Sequence, residues 1–161
     1  MSFAREGARL ILAARRAEKL EELAARLKAD HGTDCHLLEL DVRDREAVDR
    51  ALAGLPAAWA DIDILVNNAG LSRGLEPVHE GLWSDWEEMI DTNVKGLLYV
   101  DRAVLPGMVE RGRGTVVHIG SIAGHDVYPG GNVYCATKHA VRALTGSLRL
   151  DLNGTGVRVC S

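Results

Sequence analysis

Tyr134 and Lys138 stand four residues apart in a stretch with helical periodicity, so both project from one face of the same helix. A free phenol ionises at about pH 10, too high for a useful base near neutrality. An ammonium group beside it favours the phenolate. A shift of about three pH units corresponds to roughly 4 kcal/mol of differential interaction. Taken alone, such a pair is equally what a buried tyrosine and a solvated lysine would give. Ser121 follows Gly120 at the end of an apolar, strand-like run, where a hydroxyl can bond a carbonyl oxygen; turn serines are common there too. Asn93 lies inside the apolar helical stretch 90–97, although asparagine competes for backbone bonds and suits helix interiors poorly. Asn67-Asn68-Ala69-Gly70 closes another strand-like run with two amides and two small residues, which admits close approach by a flat ligand.

The elements that must position these residues alternate. Residues 9–14, 36–42, 62–67, 115–119 and 156–160 read as strands, the first as a buried one. Between them, residues 17–30, 44–54, 84–111 and 132–152 read as helices. Leu20, Leu23, Ala24 and Leu27 recur at helical spacing, and Gly32 marks a stop. Ser84 and Glu87 have the spacing of a capping box. Pro106 predicts a bend in the long helix. Strands alternating with helices imply an α/β fold with a parallel sheet covered on both faces. In such sheets ligands sit beyond the C-terminal strand ends, which is where the residues singled out above fall.

Composition narrows the function classes. The chain of 161 residues has a net charge of -4, with its lysines and arginines scattered among acids, so no basic face offers itself to nucleic acid. The three cysteines are far apart, have no metal-ligand spacing and suit reduced thiols in a cytoplasm. No apolar run reaches transmembrane length, and residues 1–6 have no signal-peptide character. Residues 1–161 read as a single domain.

Asn67-Asn68-Ala69-Gly70, Asn93, Gly120-Ser121 and Tyr134-x-x-x-Lys138 together resemble the short-chain dehydrogenases/reductases in order and spacing. Within that family, residues 55–151 most resemble the bacterial NADP-dependent 3-hydroxy acid dehydrogenases, with 61–71, 103–111 and 130–134 carrying the likeness. The resemblance implies a Rossmann-like, doubly wound sheet and hydride exchange between NADP(H) and a small alcohol or carbonyl substrate. Tyr134 would be the general acid/base. Ser121 would hold the reacting oxygen, and Lys138 would bind the nicotinamide ribose and favour the phenolate. Asn93 would hold, through its main chain, a water linked to Lys138. Asn67, Ala69 and Gly70 would border the cofactor, and Asp41 and Val42 would meet its adenine. A homo-oligomer, dimer or tetramer, packed through the helices near 84–111 and 132–152, is also implied.

Cofactor choice has its own signal. The first strand ends in Ala13-Ala14-Arg15-Arg16, with no acid at its tip to bond the ribose hydroxyls of NAD. Two guanidiniums there suit the 2′-phosphate of NADP, though solvated surface arginines would look the same. His118 reads as structural, Cys135 as packing, and Trp59, Trp83 and Trp86 as core or rim. His125, Tyr128 and Leu71 are expected along the substrate pocket. The family's opening strand with its glycine-rich turn, its last helix and its last strand have no counterpart in the sequence. An incomplete sheet is therefore expected, with unpaired strand flanks near its middle. The competing expectation is a catalytically inactive fragment that keeps only a helix-mediated association surface.

Overall fold

Five strands form two separate parallel sheets, one of two strands and one of three. The computed structural model describes residues 1–161. After a short helix α1 (Ser2–Arg5), β1 (Leu10–Ala14) leads through α2 (Ala17–His31) to β2 (Cys35–Glu39). Helices α3 (Arg45–Ala53) and α4 (Ala57–Ala60) precede β3 (Ile64–Asn67). A long helical passage follows: α5 (Trp83–Ile90), a π-helical turn over Asp91–Gly96, and α6 (Leu97–Glu110). Then come β4 (Gly114–His118), a single 3₁₀ turn (Ile122–Gly124), α7 (Asn132–Asp151) and β5 (Val157–Cys160). β1 pairs with β2, with Leu12 opposite Leu37, while β3, β4 and β5 pair in that order, with Leu65 opposite Val116 and Val116 opposite Val159. Parallel strands with flanking helices are the arrangement of a doubly wound, Rossmann-like sheet. β1 and β3 form no ladder with each other, as expected for the incomplete sheet.

The main core lies on the three-stranded side. Val104 and Met108 of α6 pack on Val116, Val157 and Val159, and Leu65, Leu148 and Leu152 close around them. β1 is less covered than a buried strand should be. Leu10, Ile11 and Leu12 are half-buried, and Ala13 and Ala14 are exposed. The reading of 9–14 as a buried strand is corrected accordingly; an apolar run records what a strand can bury, not how much covers it. β3 likewise exposes Ile64 and Val66 on one face.

Several local readings hold and several do not. Gly32 ends α2 at φ 67°, where its N–H reaches Lys28 O, a left-handed cap that glycine adopts without strain. Asp44 caps α3, accepting from Ala47 N at 2.9 Å. The Ser84–Glu87 capping box does not form: α5 starts at Trp83, so Ser84 is already inside the helix, and the capping position belongs to Leu82. The long helix runs on through Pro106, and its irregular turn lies at 91–96. A widened turn lets the buried Asn93 aim its side chain across to neighbouring segments instead of along its own helix. β2 stops at Glu39, three residues earlier than expected, because Asp41 and Val42 belong to the turn that leads into α3. α4 escapes periodicity altogether, being one turn long. No helix is long and apolar enough to cross a membrane.

Candidate active site

α7 sets two of the expected groups one turn apart. Lys138 Nζ lies 5.9 Å from the centre of the Tyr134 ring. Lys138 is 8% exposed, and its ammonium donates to Ile119 O, just beyond β4, at 2.8 Å. Burial without a carboxylate partner lowers the lysine pKa from its ordinary value. Ser121 caps the 3₁₀ turn, its Oγ accepting from Ala123 N at 3.1 Å, which leaves its own O–H free to donate. Ser121 and Lys138 line one cavity of about 270 Å³ with Gly120, Ile122, His125 and Arg142. His125 thus falls where expected. Tyr134, Tyr128 and Leu71 are not among the cavity's walls. Tyr128 instead packs its ring over Gly131, beside Cys135, and burial raises its pKa.

Asn93 joins three segments through its side chain. Its Oδ1 accepts from Leu71 N at 2.8 Å, and its Nδ2 donates to Leu71 O at 2.9 Å and to Thr137 Oγ1 at 3.0 Å. Thr137 in turn donates to Tyr134 O at 2.8 Å. The π turn, the strand-end loop and the first turn of α7 are thereby locked together. A Cβ on Gly70 would stand 3.3 Å from Asn93 Oδ1, a tight approach, and 3.7 Å from Lys138 Nζ, so the small residue favours the loop's close packing on Asn93 beside the lysine. Asn67 spends its amide elsewhere, donating to Asp101 Oδ1 at 2.7 Å.

Asp101 was not legible as a site-supporting residue. It is 2% exposed on α6 and faces His118 of β4, with Oδ2 3.0 Å from Nε2. The other ring nitrogen of His118 lies 2.9 Å from Thr145 Oγ1. Thr145 already donates its proton to Val141 O, so the histidine is the donor in that contact. His118 is fully buried and structural, as its strand position implies. The chain Asn67–Asp101–His118–Thr145 ties β3, α6, β4 and α7 together.

The tips of β1 and β2 form a separate, charged edge. Arg15 is half-exposed, with Nη1 3.7 Å from Glu88 Oε1 of α5, while Arg16 leads into α2 and makes no ion pair. Asp41 accepts from Arg43 at Nη2 (2.6 Å), at Nε and at the backbone N. That guanidinium holds the Asp41 carboxyl below its ordinary pKa. Arg43 also reaches Glu88 at 3.4 Å, and Arg73 donates to Glu88 at 2.7 Å. Val42 lies against Gly96 of the π turn, its Cγ2 2.7 Å from where a Cβ on Gly96 would stand. Neither Arg43 nor Glu88 carried a sequence signal beyond Arg43's place after Asp41-Val42. Of the tryptophans, Trp59 stacks near His36 under the Arg9 guanidinium, while Trp83 is 75% exposed and meets Trp86 edge-on.

Comparison with known proteins agrees with this geometry. A family model described as short chain dehydrogenase matches residues 1–161. The NADP-dependent 3-hydroxy acid dehydrogenase YdfG of Escherichia coli K12 is 54% identical over 157 residues, covering 98% of this chain and 62% of that protein. Serine 3-dehydrogenase of Rhizobium radiobacter is 48% identical over 159 residues, covering 99% of this chain and 62% of that protein. The closed form of a serine dehydrogenase complexed with NADP+ superposes with a TM-score of 0.92 at 54% identity, over 98% of this chain and 62% of that one. The chain spans about 62% of the length of the curated relatives it matches.

Proposed function

The chain belongs to the short-chain dehydrogenase family, and from that premise we propose that residues 1–161 form one domain of an NADP-dependent oxidoreductase acting on a small 3-hydroxy acid. The single observation that carries the reading is the meeting of Ser121 and Lys138 in one cavity, with the ammonium 5.9 Å from the Tyr134 ring. The donor set fits the cofactor. Two guanidiniums, Arg15 and Arg16, stand at the β1 tip for a ribose phosphate, Asp41 and Val42 lie beside them for an adenine, and Gly70, after β3, passes close to Lys138 with Ala69 preceding it. When bound, NADP supplies the hydride acceptor or donor.

The residues of the chain handle the oxygen and the proton. Ser121 donates its free O–H to the substrate oxygen and fixes its position. Tyr134 takes the hydroxyl proton in oxidation and returns it in reduction. Lys138, itself buried, places a positive charge beside that phenol, where the charge acts more strongly than it would in bulk solvent. Asn93 keeps the strand-end loop, the π turn and α7 in register. His125 and Arg142 line the same cavity, and the Arg142 guanidinium offers a substrate carboxylate a partner there. The half-exposed apolar positions Leu98 and Val109 of α6 fit a homo-oligomer packed through the long helices. The three free cysteines fit a reducing, cytoplasmic setting.

Replacing Tyr134 by Phe in the intact protein tests the reading. Turnover of small 3-hydroxy acids such as serine with NADP+ should fall by at least about 100-fold, the scale of general acid–base catalysis. NADPH binding, followed by fluorescence titration, should stay near that of the unaltered protein. Retained turnover overturns the role of Tyr134.

A further inference from the structure

Glu88 is the meeting point of three arginines from three separate segments. Arg15 follows β1, Arg43 follows β2, and Arg73 sits in the loop after β3; their guanidiniums lie 3.7, 3.4 and 2.7 Å from the Glu88 carboxylate. Glu88's side chain is 18% exposed, whereas Arg15 and Arg73 are more than half exposed. The three contacts are unequal. Arg73 makes a hydrogen bond. Arg43 gives its Nε and Nη2 to Asp41 and only Nη1 to Glu88. Arg15, at 3.7 Å, is beyond hydrogen-bond reach and keeps its donors uncommitted. With the unpaired Arg16, the edge sets four guanidiniums against two carboxylates. The excess of two positive charges matches a phosphomonoester, which carries about two negative charges near neutrality. Guanidiniums recognise such a group bidentately.

We propose that Glu88 is a specificity-determining residue of this edge: its carboxylate holds Arg15 in place and competes for it with the phosphomonoester that the edge binds. The proposal rests on the NADP reading above. A fixed negative charge beside a dianion opposes its binding, while a ligand without that phosphate does not feel the opposition at the same spot. Glu88 thus moderates affinity for the phosphorylated ribose without touching it. The arginines hold the Glu88 carboxyl below its ordinary pKa, so the charge is present at neutral pH.

The test uses the intact protein and two probes, adenosine 2′,5′-bisphosphate and 5′-AMP, by titration calorimetry at low salt. Glu88→Gln should tighten the bisphosphate about three- to tenfold and leave 5′-AMP within about twofold. Glu88→Asp keeps the charge but withdraws it from Arg15, so it should lie between the unaltered protein and Glu88→Gln. It carries the test alone should Glu88→Gln fail to fold. Equal changes for both probes, or a weaker bisphosphate, would make Glu88 a mere brace and overturn the proposal. A third variant, Arg15→Ala with Arg16→Ala, separates the two levels of inference. If it leaves the preference for the bisphosphate intact, the phosphate is read elsewhere and the assignment of this edge to it fails, Glu88 with it. If it abolishes that preference while Glu88→Gln changes nothing, only the role of Glu88 fails.

Discussion

The three-stranded and two-stranded sides of this molecule place functional groups by different physics. Around β3, β4 and β5 the groups are held by packing and by buried hydrogen bonds: Met108 and Val116 are fully buried, and the Asn67–Asp101–His118–Thr145 chain joins β3, α6, β4 and α7. Around β1 and β2 no member of the main core is found, and the residues at the strand tips are held by ion pairs in partial contact with water. Packing fixes an atom whatever the solvent contains. Charge fixes it only while both partners stay ionised and the salt stays low. Proton transfer needs the first kind of placement, and recognition of a solvated phosphate tolerates the second.

The sharpest attack on this contrast is a matched pair of core truncations. Met108→Ala should destabilise the fold by about 2–5 kcal/mol in denaturant unfolding, because it empties a fully buried site. Leu12→Ala, at a half-buried strand position, should cost about 1 kcal/mol. Equal losses would show that the two sides are packed alike. A second comparison targets the buried network. Asp101→Leu should cost about 1–3 kcal/mol by leaving the Asn67 amide without its acceptor, while Arg43→Ala, at the exposed edge, should cost under about 1 kcal/mol. The same unfolding curves decide it.

The two sides should also set opposite ends of the pH profile. Asp41 has its pKa lowered by its hydrogen bond to Arg43, so its stabilising contribution is present above the ordinary value of 3.8 and is lost as pH falls through the lowered one. Lys138 has its pKa lowered by burial, so the unfolded chain binds the extra proton and stability rises with pH between the lowered value and 10.5. Asp41→Asn should therefore flatten the acid limb of thermal stability, and Lys138→Met the alkaline limb; a swapped assignment would break the comparison. The smallest effect is expected from salt. In 1 M salt, roughly a 3 Å screening length, amide exchange at residues 41–43 should quicken while that at 116–118 stays unchanged.

The sequence exposes the packed side better than the charged one. Asn93 was legible because asparagine suits a helix interior poorly; Tyr134, Lys138 and Ser121 are ordinary types taken singly and were legible only through their joint order and spacing with Asn93 and the Asn67–Gly70 run. The Gly32 stop is local, so a local rule found the end of α2; the Asp44 cap was not read, although its helix was. The capping box at Ser84 failed because the chain before α5 takes its direction from packing, which puts Leu82 at the cap. The π turn could not be read, because its cause is Asn93's three bonds to segments 22 and 44 residues away. Glu88 and Asp101 read as ordinary acids on helices. Only tertiary placement shows that one gathers three arginines and the other is sealed against a histidine.

The turn over Asp91–Gly96 also sets the rotational phase of the long helical passage. A wide turn accommodates what amounts to one residue more than an α-helix would. The helix before it can therefore show Glu88 to the arginines, and the helix after it can bury Asp101 under β4. Losing one residue there would leave an unbroken helix that still looks sound on paper. It would also turn everything downstream by about 100°, swinging Asp101 out of reach of His118. Insertions and deletions in this six-residue span are thus governed by angle more than by length.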